Sequence, residues 1–279
     1  MTRTKEQPAS GLGTWGAIVL ALLLVAGCAS APSVPSPAAR AELASTGKLR
    51  AGLILSNQVL VTKDPGTGEL RGVTINLGRA LAQRLGVPLE TVGYANPAAL
   101  VKSFGANEWD IAFLAFDAAR AQEVDFSPPY MEVDNTYLVT EKSSVGTVEL
   151  ADQVGVTIAV PERSAPDLFL SRNLKSAKVM RVPGGADAAI EVLKSGEADA
   201  YAENAHMLSL YADRLPGARV LEGHYTVIQH AIATPKGKMA ASEYIKAFVQ
   251  EAKADGTVAE AIWAGGLRRT RVAPTSPMK

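Results

Sequence analysis

The 279-residue chain carries one cysteine and three histidines. A single cysteine cannot form an internal disulfide, so no disulfide framework supports this fold. His206, His224 and His230 stand at no spacing that would close around a metal ion, and no metal site is expected. Neither charge dominates, since Lys+Arg and Asp+Glu are both 28 and no basic block occurs. A nucleic-acid or acidic-surface partner therefore has nothing to hold. There is no Gly-rich phosphate loop and no Ser-His-Asp order with the flanks that nucleophilic catalysis needs, so neither a cofactor nor a catalytic residue is expected. The apolar stretch Leu12 to Ala26 is too short for a comfortable membrane span. What remains is ordinary globular composition, 47% hydrophobic and 20% charged, with length for one large or two medium domains.

The N-terminus is informative because of where the cysteine stands. Arg3 and Lys5 precede the apolar stretch, which ends in Val25-Ala26-Gly27-Cys28. This resembles the lipobox of bacterial lipoproteins, which implies a signal peptide over 1–27 and lipidation of Cys28. The alternatives are an uncleaved anchor, or a plain signal peptide with an incidental buried cysteine. Each sends the remaining chain across the membrane. Residues 29–39, "ASAPSVPSPAA", are rich in Ala, Ser and Pro without apolar periodicity, so a flexible tether is expected over 28–42.

From Leu43 the pattern is α/β. "KLRAGLILS" reads as a strand, and "DPGTGEL" carries the turn signals of a hairpin. A helix follows, with Leu77, Leu81 and Leu85 on one face, Ala80 beside them, and Gly86 and Pro88 as its stop. "LETVGY" is a second strand and "PAALVKSFGANEW" a helix leading to the apolar strand Ile111 to Phe116, with Asp117 and Arg120 just beyond its carboxyl end. Segments beginning at Ala98 and Ala188, about ninety residues apart, share a plan: an Ala-Ala helix start, a Lys-Ser close, a Gly, then an aspartate opening a strand. This echo suggests two lobes of related build, each a doubly wound sheet binding ligands outside the carboxyl ends of its strands. "SEYIKAFVQEAKADG" and "TVAEAIWAGG" read as two closing helices, with Ile262 and Trp263 packing, and the basic tail 268–279 as poorly ordered.

"GKLRAGL", "TGELRGVTINLGRALAQRLGV", "WDIAFLAFDAARAQEVDFSPPY" and "KADGTVAEAIW" together resemble the extracytoplasmic solute-binding proteins of family 3, receptors of ATP-driven importers. The resemblance runs from about Leu43 to Gly266, and its most specific piece is the Arg-x-x-x-x-Asp-Phe-Ser-x-Pro-Tyr run from Arg120 to Tyr130. It implies a two-lobed α/β fold of the periplasmic-binding-protein type II, two doubly wound sheets joined by two crossing hinge strands. Lobe one would take 46–132 plus 233–267 and lobe two 136–228, with crossings near Glu132–Asn135 and Gln229–Ile232. It further implies a periplasmic, membrane-anchored monomer that presents a small polar solute to an ABC permease.

Residue by residue, Arg120 matches the arginine that clamps the ligand carboxylate, a planar two-pronged donor that keeps its proton. The alternative is that Asp117 and Arg120 cap the next turn and pair with each other, or that Arg120 forms a structural ion pair with Glu123. Where such receptors have Ser or Thr, this chain has Asp117 and Ala115; Asp117 would either hold Arg120 or bind a cationic group. The ammonium-binding aspartate falls at Asn204, or at Glu203 if the register slips by one. Asn57 replaces one stacking aromatic, and Pro97 falls at the other, with Tyr94 as a substitute. Ser164, beside Glu162 and Arg163, is either a helix N-cap or part of an anion site, and the two can coexist. These departures argue against an ordinary L-α-amino acid pocket and leave a small polar solute. The rival readings are a cyclohexadienyl-dehydratase-like lyase using Glu203 or Glu162 as general acid, and an orphan sensory binding protein.

Overall fold

The computed structural model describes residues 1, 2, 4, 33–162 and 164–274. Cys28 with most of the expected leader, Arg163, and residues 275–279 lie outside the described residues. Among the described residues no helix is long and apolar enough to cross a membrane.

The body begins with α1 (Pro37–Leu43) and β1 (Leu49–Ile54). The hairpin of β2 (Thr62–Lys63) and β3 (Leu70–Arg71) closes around Asp64, whose Oδ1 accepts the Gly66 and Thr67 N–H groups. Gly72 then turns the chain at φ 127°, where an added Cβ would meet the Leu60 carbonyl oxygen at 2.8 Å, so a side chain is excluded. In α2 (Val73–Leu85) the leucine stripe Leu77, Leu81 and Leu85 is fully buried, worth about 1.5–3 kcal/mol per side chain. Gly86 ends it in the left-handed region, donating its N–H to the Ala82 and Gln83 carbonyls. Next come β4 (Leu89–Tyr94), α3 (Pro97–Lys102), β5 (Ile111–Ala115) and β6 (Val124–Phe126).

The chain leaves this half along β7 (Met131–Val139) and builds a second α/β unit. Its elements are β8 (Thr157–Pro161), α4 (Ala165–Asn173), β9 (Lys178–Val182), α5 (Ala186–Ser195), β10 (Ala200–Asn204), α6 (Ala205–Ala212) and β11 (Arg219–Val220). It returns along β12 (Thr226–Pro235) to α7 (Met239–Ala254), α8 (Thr257–Ala264) and β13 (Thr270–Val272).

The first half has β1 parallel to both β4 and β5, with β12 antiparallel to β5 and β6. The second has β8 parallel to β9 and β10, with β7 antiparallel to β10 and β11. The echo in sequence has a physical counterpart. Asp110, just before β5, accepts the Arg50 N–H of β1, and Asp199, just before β10, accepts the Thr157 N–H of β8, both at 2.8 Å. In each lobe an aspartate thus ties the start of one parallel strand to its neighbour. The two sheets are not separate: β7 and β12 pair antiparallel from Met131↔His230 to Asn135↔Thr226, joining eleven of the described strands into one sheet, while β2 and β3 form a sheet of their own.

Four expectations are corrected. The tether does not extend to residue 42. Ser36 caps α1 through its Oγ, Pro37 occupies the first turn, Ala39 and Leu43 are buried, and Glu42 accepts the Ala241 N–H of α7. A Ser-Pro start is a helix signal that Pro-rich composition obscures. The tail is ordered through its first part, since β13 pairs with Met131–Val133 of β7 and Arg271 bonds both Glu132 and Asp134. The helix from Pro97 stops at Lys102, because Ser103 bonds back to Leu100 and the chain turns through positive φ at Gly105 and Asn107. Trp263 does not pack: it is 84% exposed, since Val258, Ala261 and Ile262 already define the buried face of α8.

Candidate functional site

A cleft of about 770 Å³ opens at the carboxyl ends of the central strands, where β7 and β12 cross. Both halves line it. From the first half come Ile54, Ser56, Asn57, Asn96, Ala115 and Arg120; from the second, Pro161, Ser164, Gly184, Gly185, Glu203 and Tyr211. Asn135 of β7 and Ile228 and His230 of β12 also reach its lining.

Arg120 opens a single 3-10 turn, Arg120–Gln122, beyond β5. Its Nη1 donates to the Ala115 carbonyl oxygen at 2.9 Å, which steadies the guanidinium against the strand end; among the described residues its other guanidinium N–H groups have no acceptor. Among the described residues no carboxylate lies within ion-pair distance of it, so neither Asp117 nor Glu123 is its partner. Burial pushes the Arg120 pKa down, and the Asp117 charge only partly offsets this. A part-buried cation without an anion is an expensive arrangement that an anionic ligand would relieve.

Asp117 does a different job. Its Oδ1 accepts the Ala119 and Arg120 N–H groups at 2.9 and 3.3 Å, capping the turn that presents Arg120, and the residue is absent from the cleft lining. Tyr94 is also outside the cleft. Its ring packs in a cluster with Trp109 and Phe126, and its hydroxyl donates to Glu108 at 2.6 Å. Asn57 lines the cleft, half-buried, with Oδ1 accepting the Val59 N–H.

In the second half, Asn204 caps α6: its Oδ1 accepts the Met207 N–H at 2.9 Å. Its backbone N–H and Nδ2 both donate to Glu203 Oε1, at 2.8 and 2.9 Å. One oxygen of Glu203 is thus held by its neighbour while the residue faces the cleft. Burial raises the Glu203 pKa, and the two Asn204 hydrogen bonds oppose that rise. Ser164 is the N-cap of α4, accepting the Asp167 N–H at 3.2 Å, and it stands in the cleft wall. The N-termini of α4, α5 and α6 all reach the lining.

Sequence reasoning missed Asn135 and His230. Both strands carry several other polar residues, so nothing in the local pattern sets these two apart. Asn135 has neither end of its carboxamide in hydrogen-bond geometry, and the Nδ1 of His230 has no partner. Burial, with the Arg120 charge adding to it, pushes the His230 pKa down to about 3, so the imidazole is neutral. Among the described residues no cluster of His, Cys, Asp or Glu could hold a metal ion.

Comparison with known proteins agrees with this layout. The ABC transporter glutamine-binding protein GlnH of Bacillus subtilis is 24% identical over 248 residues, which is 85% of this chain and 90% of that protein. The cyclohexadienyl dehydratase of Pseudomonas aeruginosa is 30% identical over a shorter stretch of 120 residues, 42% of this chain and 44% of that enzyme. Among solved structures, a variant of ArgBP from T. maritima matches with a TM-score of 0.67 and 27% identity, over 82% of this chain and 99% of that one. The family model for bacterial extracellular solute-binding proteins, family 3, spans residues 58–263, which takes in both lobes and both crossing strands; the chain belongs to that family.

Proposed function

We propose that the protein is a lipid-anchored receptor that captures a small, carboxylate-bearing, amino-acid-like solute by hinge closure and passes it to an ABC permease. The observation that carries this reading is Arg120, a part-buried guanidinium fixed by the Ala115 carbonyl, lining the cleft with no carboxylate among the described residues at ion-pair distance. Glu203, from the opposite half, offers the complementary charge, so the cleft suits a solute with an anionic and a cationic end. The relatives named for glutamine and arginine binding support an amino-acid-like ligand. A solute touching both halves has more affinity for the closed form and shifts the population towards it. The lobes would be 46–132 plus 233–267 and 136–228, with Asn57 and Ser164 adding polar contacts. The anchor would be a lipid on Cys28 of a periplasmic monomer; Cys28→Ser should release the protein from the membrane fraction, and unchanged fractionation would reject the lipid.

The test is a thermal-shift screen over the common L-amino acids, amines and organic acids, followed by calorimetry. A ligand at a hundredfold its Kd adds about 2.7 kcal/mol to stability. Arg120→Ala should weaken binding of the best hit by about 2–5 kcal/mol, as for other buried charge pairs. Unchanged affinity would remove Arg120 from the site.

One observation favours a second reading, a cyclohexadienyl-dehydratase-like lyase. Glu203 is a cleft carboxyl with its pKa raised by burial, as a general acid requires. The local likeness to the P. aeruginosa enzyme points the same way. Turnover of prephenate that Glu203→Gln abolishes would establish it, and no turnover would end it.

A further inference from the structure

The structure places one more donor beside Arg120. In the family-like pattern the strand end before the arginine carries hydroxyls, and this chain has Ala115 and Asp117 there, the first without a hydroxyl and the second spent on the turn. The antiparallel register of β5 and β12 sets His230 directly opposite Ala115, the residue whose carbonyl holds the Arg120 guanidinium. His230 is only 5% exposed and lines the cleft.

Its two ring nitrogens differ. Nδ1 is sealed from solvent and has no hydrogen-bond partner. Nε2 is not sealed in this way and bonds to no described residue. A neutral imidazole has one N–H and one lone pair. A buried N–H without an acceptor is the rarer and costlier orphan, so the proton belongs on Nε2 and the lone pair on the sealed Nδ1. A ring in that form offers an N–H to the cleft, next to the free N–H groups of Arg120.

We propose that His230 is a second contact for the ligand's carboxylate, donating its Nε2–H alongside the Arg120 guanidinium in place of the absent hydroxyls. This rests on the receptor reading above and adds the residue that completes the anion site. Because the donor sits on a crossing strand, it stays with the cleft floor as the lobes move. A neutral donor also adds no second charge next to Arg120, whose own burial is already unfavourable.

The experiment uses the full chain and its tightest binder among the common L-amino acids, with that compound's α-carboxamide as control. His230→Phe should weaken binding of the carboxylate by roughly ten- to hundredfold, the range of a hydrogen bond to a charged group. It should leave the already weak carboxamide little changed. His230→Gln, which retains an N–H donor, should recover part of the loss. In the wild type, 15N spectra of the imidazole should show the Nε2–H form, with the Nε2 resonance moving on saturation. If Arg120→Ala abolishes binding but His230→Phe does not weaken it, His230 is no contact and the inference falls alone. An Nδ1–H ring overturns it in the same way. If Arg120→Ala has no effect, or no L-amino acid binds, the receptor reading of this site fails and takes the inference with it.

Discussion

Glu203 and Arg120 show at the scale of single residues what a binding cleft costs the empty protein. Burial raises the Glu203 pKa, so in the pH range above the ordinary carboxylate value the unfolded chain is ionised while the folded chain resists ionisation. The folded state then binds more protons than the unfolded one, and stability falls as pH rises through that window. Glu203→Gln keeps the acceptor for Asn204 and removes the titration. We expect it to raise the melting temperature at neutral pH and to lose that advantage as the pH falls below the usual carboxylate range. The same variant should abolish binding of any solute with an ammonium end; stabilisation without loss of binding would show that Glu203 is not the partner of that cation. Asp117 makes a contrasting case. Its two backbone acceptor bonds resemble a cap, so Asp117→Ala should cost about 1 kcal/mol in urea unfolding and weaken ligand binding only modestly. Complete loss of binding at unchanged stability would make Asp117 a ligand contact instead.

Among the elements, β13 and its flanks decide how the hinge is held. The strand pairs with Met131–Val133, the part of β7 that crosses between lobes. Arg271 donates to Glu132 at 3.0 Å and also bonds Asp134, and this pairing raises its own pKa. Just before it, Arg269 donates to the Leu221 carbonyl at 2.9 Å and the Arg268 N–H to His206 Nδ1 at 3.2 Å, both in the second half of the molecule. A segment that leaves α8 of the first half therefore fastens to the second across the outside of the hinge. Ending the chain at Leu267 should lower stability by about 2 kcal/mol, from several hydrogen bonds each worth roughly 1 kcal/mol. An unchanged denaturation midpoint would mean the strap is ornamental. The surface ion pairs contribute little to that figure, because exposed pairs are screened.

For the whole molecule, the crossing of β7 and β12 makes one continuous sheet out of two related halves and sets the cleft where they meet. Closure should be visible as a fall in radius of gyration by small-angle scattering when ligand is added, and Arg120→Ala under the same conditions should not contract. Contraction of that variant at equal ligand would separate closure from the arginine. Much of this plan was legible from local pattern. The leucine stripe of α2, its glycine stop and Arg120 at a strand end all depend on neighbours a few residues away, so sequence alone determined them; the aspartates before β5 and β10 were legible as an echo, but their bonds to Arg50 and Thr157 are long-range and belong to the fold. Residues 33–42 and 268–274 depart from the expected tether and tail because their order comes from docking on α7 and β7, which composition does not encode. Analogy alone puts Tyr94 near a ligand, while packing places it against a hydrophobic cluster; for Asp117 the local pattern already offers a turn cap, and its backbone bonds match that reading. Asn135 and His230 are the reverse: their neighbours in sequence give no hint of a site. Only antiparallel pairing across about a hundred residues brought them to the cleft floor, because a strand's register decides which polar side chain is buried beside which charge.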